Sequence, residues 1–223
     1  VATAALAFVL AGGLGLMLGS VTPVPSLHWP EFRNPFAGDP FAVADPAGGD
    51  WLDRSEPVRV DIDRLGVHAP LTPLGLDSDG DFEVPSMRRP HEAGWFEPGP
   101  TPGEFGPAVL LGHVDTARGP AVFFAVERLE EGDAIEVTRE DGIVVVYEVA
   151  AVESFPKGRL PYEEVFGVGP EPGLRLITCG GVFDRGTGDY TENTVVFADY
   201  AGRRRATGAD LARPLNGRDA FGG

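Results

Sequence analysis

The apolar runs between Val58 and Tyr200 are short, and turn residues separate them. That pattern predicts an all-β sandwich or barrel. The chain carries 31 glycines and 21 prolines, a composition suited to a fold with many turns and to a linker. The spacing predicts strands over Val58–Ile62, Val67–Leu71, Ala108–His113, Ala134–Thr138, Val144–Val152, Leu174–Thr178 and Thr194–Tyr200. Val144–Val152 is rich in β-branched residues, which favour a pleated sheet. Glu140-Asp141-Gly142 precedes it and reads as a hairpin turn, because Asp-Gly supplies the positive φ such turns need. A short helix is predicted over Phe123–Leu129, ended by the turn Glu130–Asp133, and a helical turn over Tyr162–Phe166. No internal repeat is present.

The ends differ from this middle. Residues 1–20 are uncharged and mainly apolar, long enough at ~1.5 Å per residue to cross a bilayer as a helix. We read them as a transmembrane signal anchor, with a cleaved signal peptide as the alternative; either reading exports the rest. Residues 21–57 are proline-rich without a period of 2 or 3.6 and read as an extracellular spacer. Residues 58–202 form the predicted β-domain, and residues 203–223 a flexible or loosely docked tail.

The formal net charge is -16, which excludes nucleic-acid binding as a leading function because phosphate contacts need a basic surface. One cysteine, Cys179, forbids an internal disulfide, a cysteine zinc cluster and a CxxC redox pair. A lone thiol in an exported protein is exposed to oxidation, so its presence calls for a reason.

Two segments carry chemistry-bearing residues at the predicted ends of apolar strands: residues 109–116 (VLLGHVDT) and residues 174–185 (LRLITCGGVFDR). A strand rooted in a core fixes its last side chain, while the loop beyond leaves room for a substrate. Cys179 precedes Gly180-Gly181, which leave its thiol open to approach. His113 is the candidate acid–base partner, because imidazole is matched to proton transfer near neutral pH. Arg185, six residues past Cys179, is the candidate oxyanion-holding cation. Spacing alone leaves other readings open: a buried inert cysteine, a structural histidine and a surface arginine.

Residues 174–199 (LRLITCGGVFDRGTGDYTENTVVFAD) resemble the cysteine-strand signature of sortases, and residues 111–116 (LGHVDT) the matching histidine segment. Residues 80–85 (GDFEVP), 93–96 (AGWF) and 102–108 (PGEFGPA) also resemble that family, and the CGG…FDR…TG.Y..N.VV pattern is similar to actinobacterial class F members. The resemblance spans about Val58 to Tyr200. It implies an eight-stranded β-barrel with short helices. It implies attack by Cys179 on an LPXTG-like sorting signal, a thioester acyl-enzyme, and release by a cell-wall amine acceptor. His113 would protonate the leaving amine and deprotonate the incoming one; Thr178 would contact substrate or oxyanion. Asp115 could orient His113 but is left out of the catalytic set. No cofactor and no metal are implied. Two alternatives stand beside it: a hydrolytic cysteine endopeptidase on the same residues, and a non-catalytic cell-wall-binding β-domain.

Overall fold

The computed structural model describes residues 51–78, 82–167 and 171–216. Ten strands and two short α-helices follow one another along them. The strands are β1 Pro57–Ile62, β2 Val67–Leu74, β3 Ala93–Phe96, β4 Pro107–Leu111, β5 Asp115–Thr116, β6 Gly119–Pro120, β7 Ala134–Arg139, β8 Ile143–Pro156, β9 Gly173–Asp184 and β10 Asp189–Arg205. The helices are α1 Tyr162–Phe166 and α2 Gly208–Ala212. Eight strands close a barrel in the order β1-β2-β3-β4-β9-β10-β8-β7, and β5 and β6 form a separate ribbon. The β2–β3 and β4–β9 pairs are parallel; the other barrel pairs are antiparallel. The all-β expectation and the eight-stranded barrel are both met. The expected anchor and most of the spacer lie outside the described residues. Among the described residues no helix is long and apolar enough to cross a membrane.

Strand alternation divides the apolar side chains into two cores. Val60, Trp95, Leu110, Val137, Tyr147, Leu174 and Leu176 belong to a cluster fed by all eight barrel strands, which fills the interior. Val109, Leu111, Ile177, Val195 and Phe197 point to the other face and meet Phe82, Val165 and Phe166 there. Helix α1 has only five residues, too few to be stable by itself. It is held because Val165 and Phe166 are buried and Phe82 stacks on Phe166 with ring centroids 5.3 Å apart.

Most predicted strands are present but longer. β9 and β10 run well past Thr178 and Tyr200 because each pairs along its length with the other, and β10 also with β8. The turn at residues 140–142 joins β7 to β8 with Gly142 at φ 77°, as expected. β4 stops at Leu111 rather than His113. Strand β3 was not anticipated: its four residues are too few to show a period, and they are strand because tertiary contacts bury all of them. Phe123–Leu129 forms 3₁₀ structure over Val126–Arg128 instead of an α-helix. The backbone N–H groups of Phe124, Val126, Arg128 and Leu129 each reach back three residues, as in Arg128 N–H to the Ala125 carbonyl. A seven-residue segment cannot nucleate an α-helix alone, and its apolar residues satisfy the core in the tighter form.

The expected loose tail is docked up to Asn216. Arg203–Arg205 close β10, and α2 begins with a capping box in which Thr207 and Asp210 satisfy each other's backbone. Arg204 bridges Glu136 on β7 and Asp210. The Asn216 N–H donates to the His68 carbonyl at 2.8 Å. The end of the spacer is docked as well: Leu52 N–H donates to the Gly103 carbonyl at 2.8 Å, and buried Arg139 donates to the carbonyls of Asp53 and Pro102. Composition reads these segments as linkers because their partners are far away in sequence.

Candidate active site

β4 and β9 are parallel neighbours, with Leu111 opposite Ile177, and the Gly112 N–H continues the ladder by donating to the Ile177 carbonyl at 3.1 Å. His113 and Cys179 therefore each stand two residues beyond the last paired residues of adjacent strands. The chain then leaves β9: the Phe123 N–H donates to the His113 carbonyl, and the Ala121 N–H to that of Val114, both at 3.0 Å. The His113 ring is pinned too. Its Nε2 lies 2.6 Å from the Pro85 carbonyl oxygen. A carbonyl only accepts, so Nε2 carries the hydrogen and Nδ1 is the nitrogen left to exchange a proton.

Cys179 does not end its strand. β9 continues to Asp184 and forms a hairpin with β10, in which Cys179 faces Asn193 and Gly180 faces Glu192. Past them Gly181 and Val182 stand against Thr191 alone, before Phe183 pairs with Tyr190. Gly181 sits at φ 74°, the left-handed conformation that admits such a bulge. The Val182 N–H donates to Thr191 Oγ1 at 3.0 Å. The glycine pair thus bends the strand instead of ending it. The thiol is half-buried.

This longer hairpin moves Arg185 away from the nucleophile. Asp184 pairs with Asp189, and Arg185 lies in the intervening turn, where the Gly188 N–H donates to the Asp184 carbonyl at 2.8 Å. Arg185 is exposed. Arg185, the candidate oxyanion-holding cation, is thus set at the tip of the hairpin, six residues along the chain from Cys179. Thr178 is also not brought to the site. Alternation turns it to the face of Leu174 and Leu176, opposite that of Cys179; it is 2 % exposed and its Oγ1 has no partner in the protein. Asp115 does not serve His113 in this structure: its Oδ2 accepts from the Tyr190 hydroxyl at 2.6 Å.

The charged groups that act on the Cys179 thiol are Lys157, Asp189 and Asp115. Burial pushes the thiol up; Lys157 draws it back as a cation and hydrogen-bond donor, and the carboxylates of Asp189 and Asp115 push it up further. Lys157 forms an ion pair with Asp189. The Tyr190 hydroxyl, close enough to feel Cys179, is pushed up to about 12 by burial and by its bond to Asp115. The sequence reading passed over Lys157, Asp189 and Tyr190. One signal for Lys157 was present: it is the only lysine in the chain. Asn193, the cross-strand neighbour of Cys179, is 1 % exposed with its Oδ1 unpaired.

A half-buried thiol on which a cation acts, with an imidazole just past the end of the adjacent strand held by a carbonyl, has the groups for nucleophilic acyl transfer. Comparison with known proteins agrees. A sortase domain model matches residues 60–201, more than half of the chain. Comparison with curated proteins finds no match. Among solved structures, sortase E1 from Streptomyces coelicolor, whose structure holds a tripeptide in the active site, superposes with a TM-score of 0.52 at 20 % identity, covering 72 % of this chain and 94 % of its own. Listeria monocytogenes sortase A gives 0.52 at 15 %, covering 70 % and 93 %. Corynebacterium diphtheriae sortase A gives 0.51 at 21 %, covering 67 % and 62 %. These likenesses concern the fold; the domain match over the barrel and its active strands carries the family, and the chain belongs to the sortases, a family of cysteine transpeptidases.

Proposed function

We propose that this sortase cleaves an LPXTG-like sorting signal with Cys179 as nucleophile and His113 as acid–base, and passes the acyl group to a cell-wall amine. The observation that supports the reading is that Cys179 and His113 each follow by two residues the last pair between the parallel neighbours β9 and β4, with His113 Nε2 tied to Pro85 and Nδ1 left for proton exchange. The Cys179 thiolate adds to the threonine carbonyl carbon, forming the S–C bond. The C–N bond to glycine then breaks, and the protonated imidazole gives its proton to the leaving amine. The thioester keeps the energy of the cleaved peptide bond, so no nucleotide is consumed. The incoming amine attacks the thioester and loses a proton to His113, the S–C bond breaks, and the thiolate is restored. The exposed Arg185 is not part of this set.

We further place the chain near the actinobacterial class F sortases, on the CGG…FDR…TG.Y..N.VV pattern of residues 179–196. A tree of sortase sequences that seats it firmly in another class overturns that placement. The apolar residues 1–20 support a single-pass anchor with the catalytic domain outside the cell. The expected result is co-sedimentation with membranes that is lost when residues 1–20 are removed. The reaction itself is tested with an LPXTG-type peptide, with and without an added amine. Transpeptidation predicts an amine-ligated acyl product; a product that never contains the amine leaves only the hydrolytic endopeptidase. No cleavage under either condition rejects the reading.

A further inference from the structure

We propose that Lys157, not Arg185, is the cation that holds the Cys179 thiolate, and that Asp189 keeps it in place. The inference rests on Cys179 being the nucleophile. Asn193 of β10 pairs with Cys179 on one side and with Phe155 of β8 on the other, so these three side chains share one face in a row across the sheet. Lys157 lies two residues beyond Phe155, and its N–H still donates to the Thr191 carbonyl at 3.1 Å as the chain leaves β8. Alternation therefore keeps its side chain on the thiol's face. Its side chain is only 17 % exposed and is paired with Asp189, which is 25 % exposed. Lys157 is the group that draws the thiol's pKa down, by its charge and as a hydrogen-bond donor.

The surroundings explain why a cation is needed there. Besides Lys157, the charged groups that act on the thiol are the carboxylates of Asp189 and Asp115. The Tyr190 hydroxyl is also close enough to feel it, and His113 stands two residues past the end of the adjacent strand β4. Without Lys157 a thiolate would form beside two carboxylates in a half-buried site. The bonds present limit that repulsion, since Asp189 is bound to Lys157 and Asp115 to the Tyr190 hydroxyl. Lys157 transfers no proton in this role. The thiol proton leaves to His113 or to solvent base, and the ammonium hydrogen-bonds the sulfur before attack and after deacylation.

The test uses the full chain, whose single cysteine makes alkylation report on Cys179 alone. Iodoacetamide is added from pH 5 to 10; the thiolate displaces iodide, and the mass gain gives the rate. An opposite charge this close favours the ionised form by about one pH unit or more. Lys157→Met is expected to move the rate midpoint up by that amount. The rate at pH 7 should fall several-fold, less than the loss of thiolate because a more basic sulfur is intrinsically more nucleophilic. Lys157→Arg is expected to restore the profile, and Arg185→Gln to track the wild type. Asp115, Asp189, Tyr190 and His113 are common to all variants, so the difference between profiles isolates Lys157. A Lys157→Met profile that overlays the wild type, or an Arg185→Gln profile that shifts instead, overturns the inference. Should Lys157→Met lose its circular-dichroism signature, Lys157→Gln is read in its place by the same criterion. Sorting-peptide turnover is measured separately. A shifted profile without any peptide turnover removes the transpeptidase reading and leaves this one; an unshifted profile with intact turnover does the reverse.

Discussion

Replacing Gly180 with alanine tests how the strand beside the nucleophile is packed. A Cβ there would stand 2.2 Å from Thr194 Oγ1 and 3.4 Å from Thr194 Cβ. The first distance is about 1.2 Å short of ordinary contact, which begins at 3.4 Å. Thr194 is fully buried in β10, directly across from Thr178, and its hydroxyl donates to Glu127 Oε1 at 3.0 Å, so it has little room to turn. An inserted methyl in such a core costs about 1–3 kcal/mol. For a domain of this size each kcal/mol lowers Tm by about 2–4 °C, so Gly180→Ala should melt roughly 2–12 °C below the wild type. Turnover should fall as well, because Cys179 is the adjoining residue. Thr194→Ala removes the colliding oxygen at the cost of its hydrogen bond, about 1 kcal/mol. The double variant should then recover most of the Gly180→Ala loss, giving a favourable coupling of about 1 kcal/mol or more in a urea-denaturation cycle. Strictly additive single effects would refute the collision, and Gly180→Ala with wild-type stability would refute the packing argument altogether.

Cys179→Ala should abolish turnover while leaving Tm within a few degrees, because the thiol is half-buried and belongs to neither apolar core; measurable turnover in that variant sinks the nucleophile assignment. Stability should fall on the alkaline side. Burial pushes the hydroxyls of Tyr147 and Tyr190 above their ordinary value of 10, so each favours the folded state below pH 10 and that contribution is lost as pH rises further. Tyr147→Phe, which gives up the bond from the Gly103 N–H at 2.9 Å, should flatten that limb in urea titrations; an unchanged slope above pH 10 counts against it. Asp210→Asn should cost about 1 kcal/mol by weakening the α2 cap and the Arg204 bridge, and should speed amide exchange in residues 207–213. Those bonds hold Asp210 well below the usual carboxylate range, so the wild type should lose the same contribution as pH falls below about 4, and a flat acid response would argue against it.

Local chemistry determined the class of fold. Short apolar runs with Gly and Pro between them cannot build long helices, and β-branched stretches such as Val144–Val152 have one favoured conformation, so the strands were legible at nearly their right places. The Asp141-Gly142 turn was legible for the same reason, since its geometry is a property of two residues. Cys179 and His113 were legible as reactive residue types with a family resemblance around them. Their neighbours depended on pairing. Whether Gly180-Gly181 ends a strand or bulges it depends on what β10 supplies opposite, and no local rule separates the two. That one outcome carried Arg185 out to the hairpin tip. Thr178 turned inward because a barrel has an inside, which a single strand does not specify. Lys157 reached the thiol only because β8, β10 and β9 stack their registers through Asn193, joining positions 22 residues apart. The chain's only lysine was visible in the sequence from the start; sheet closure is what set it beside Cys179.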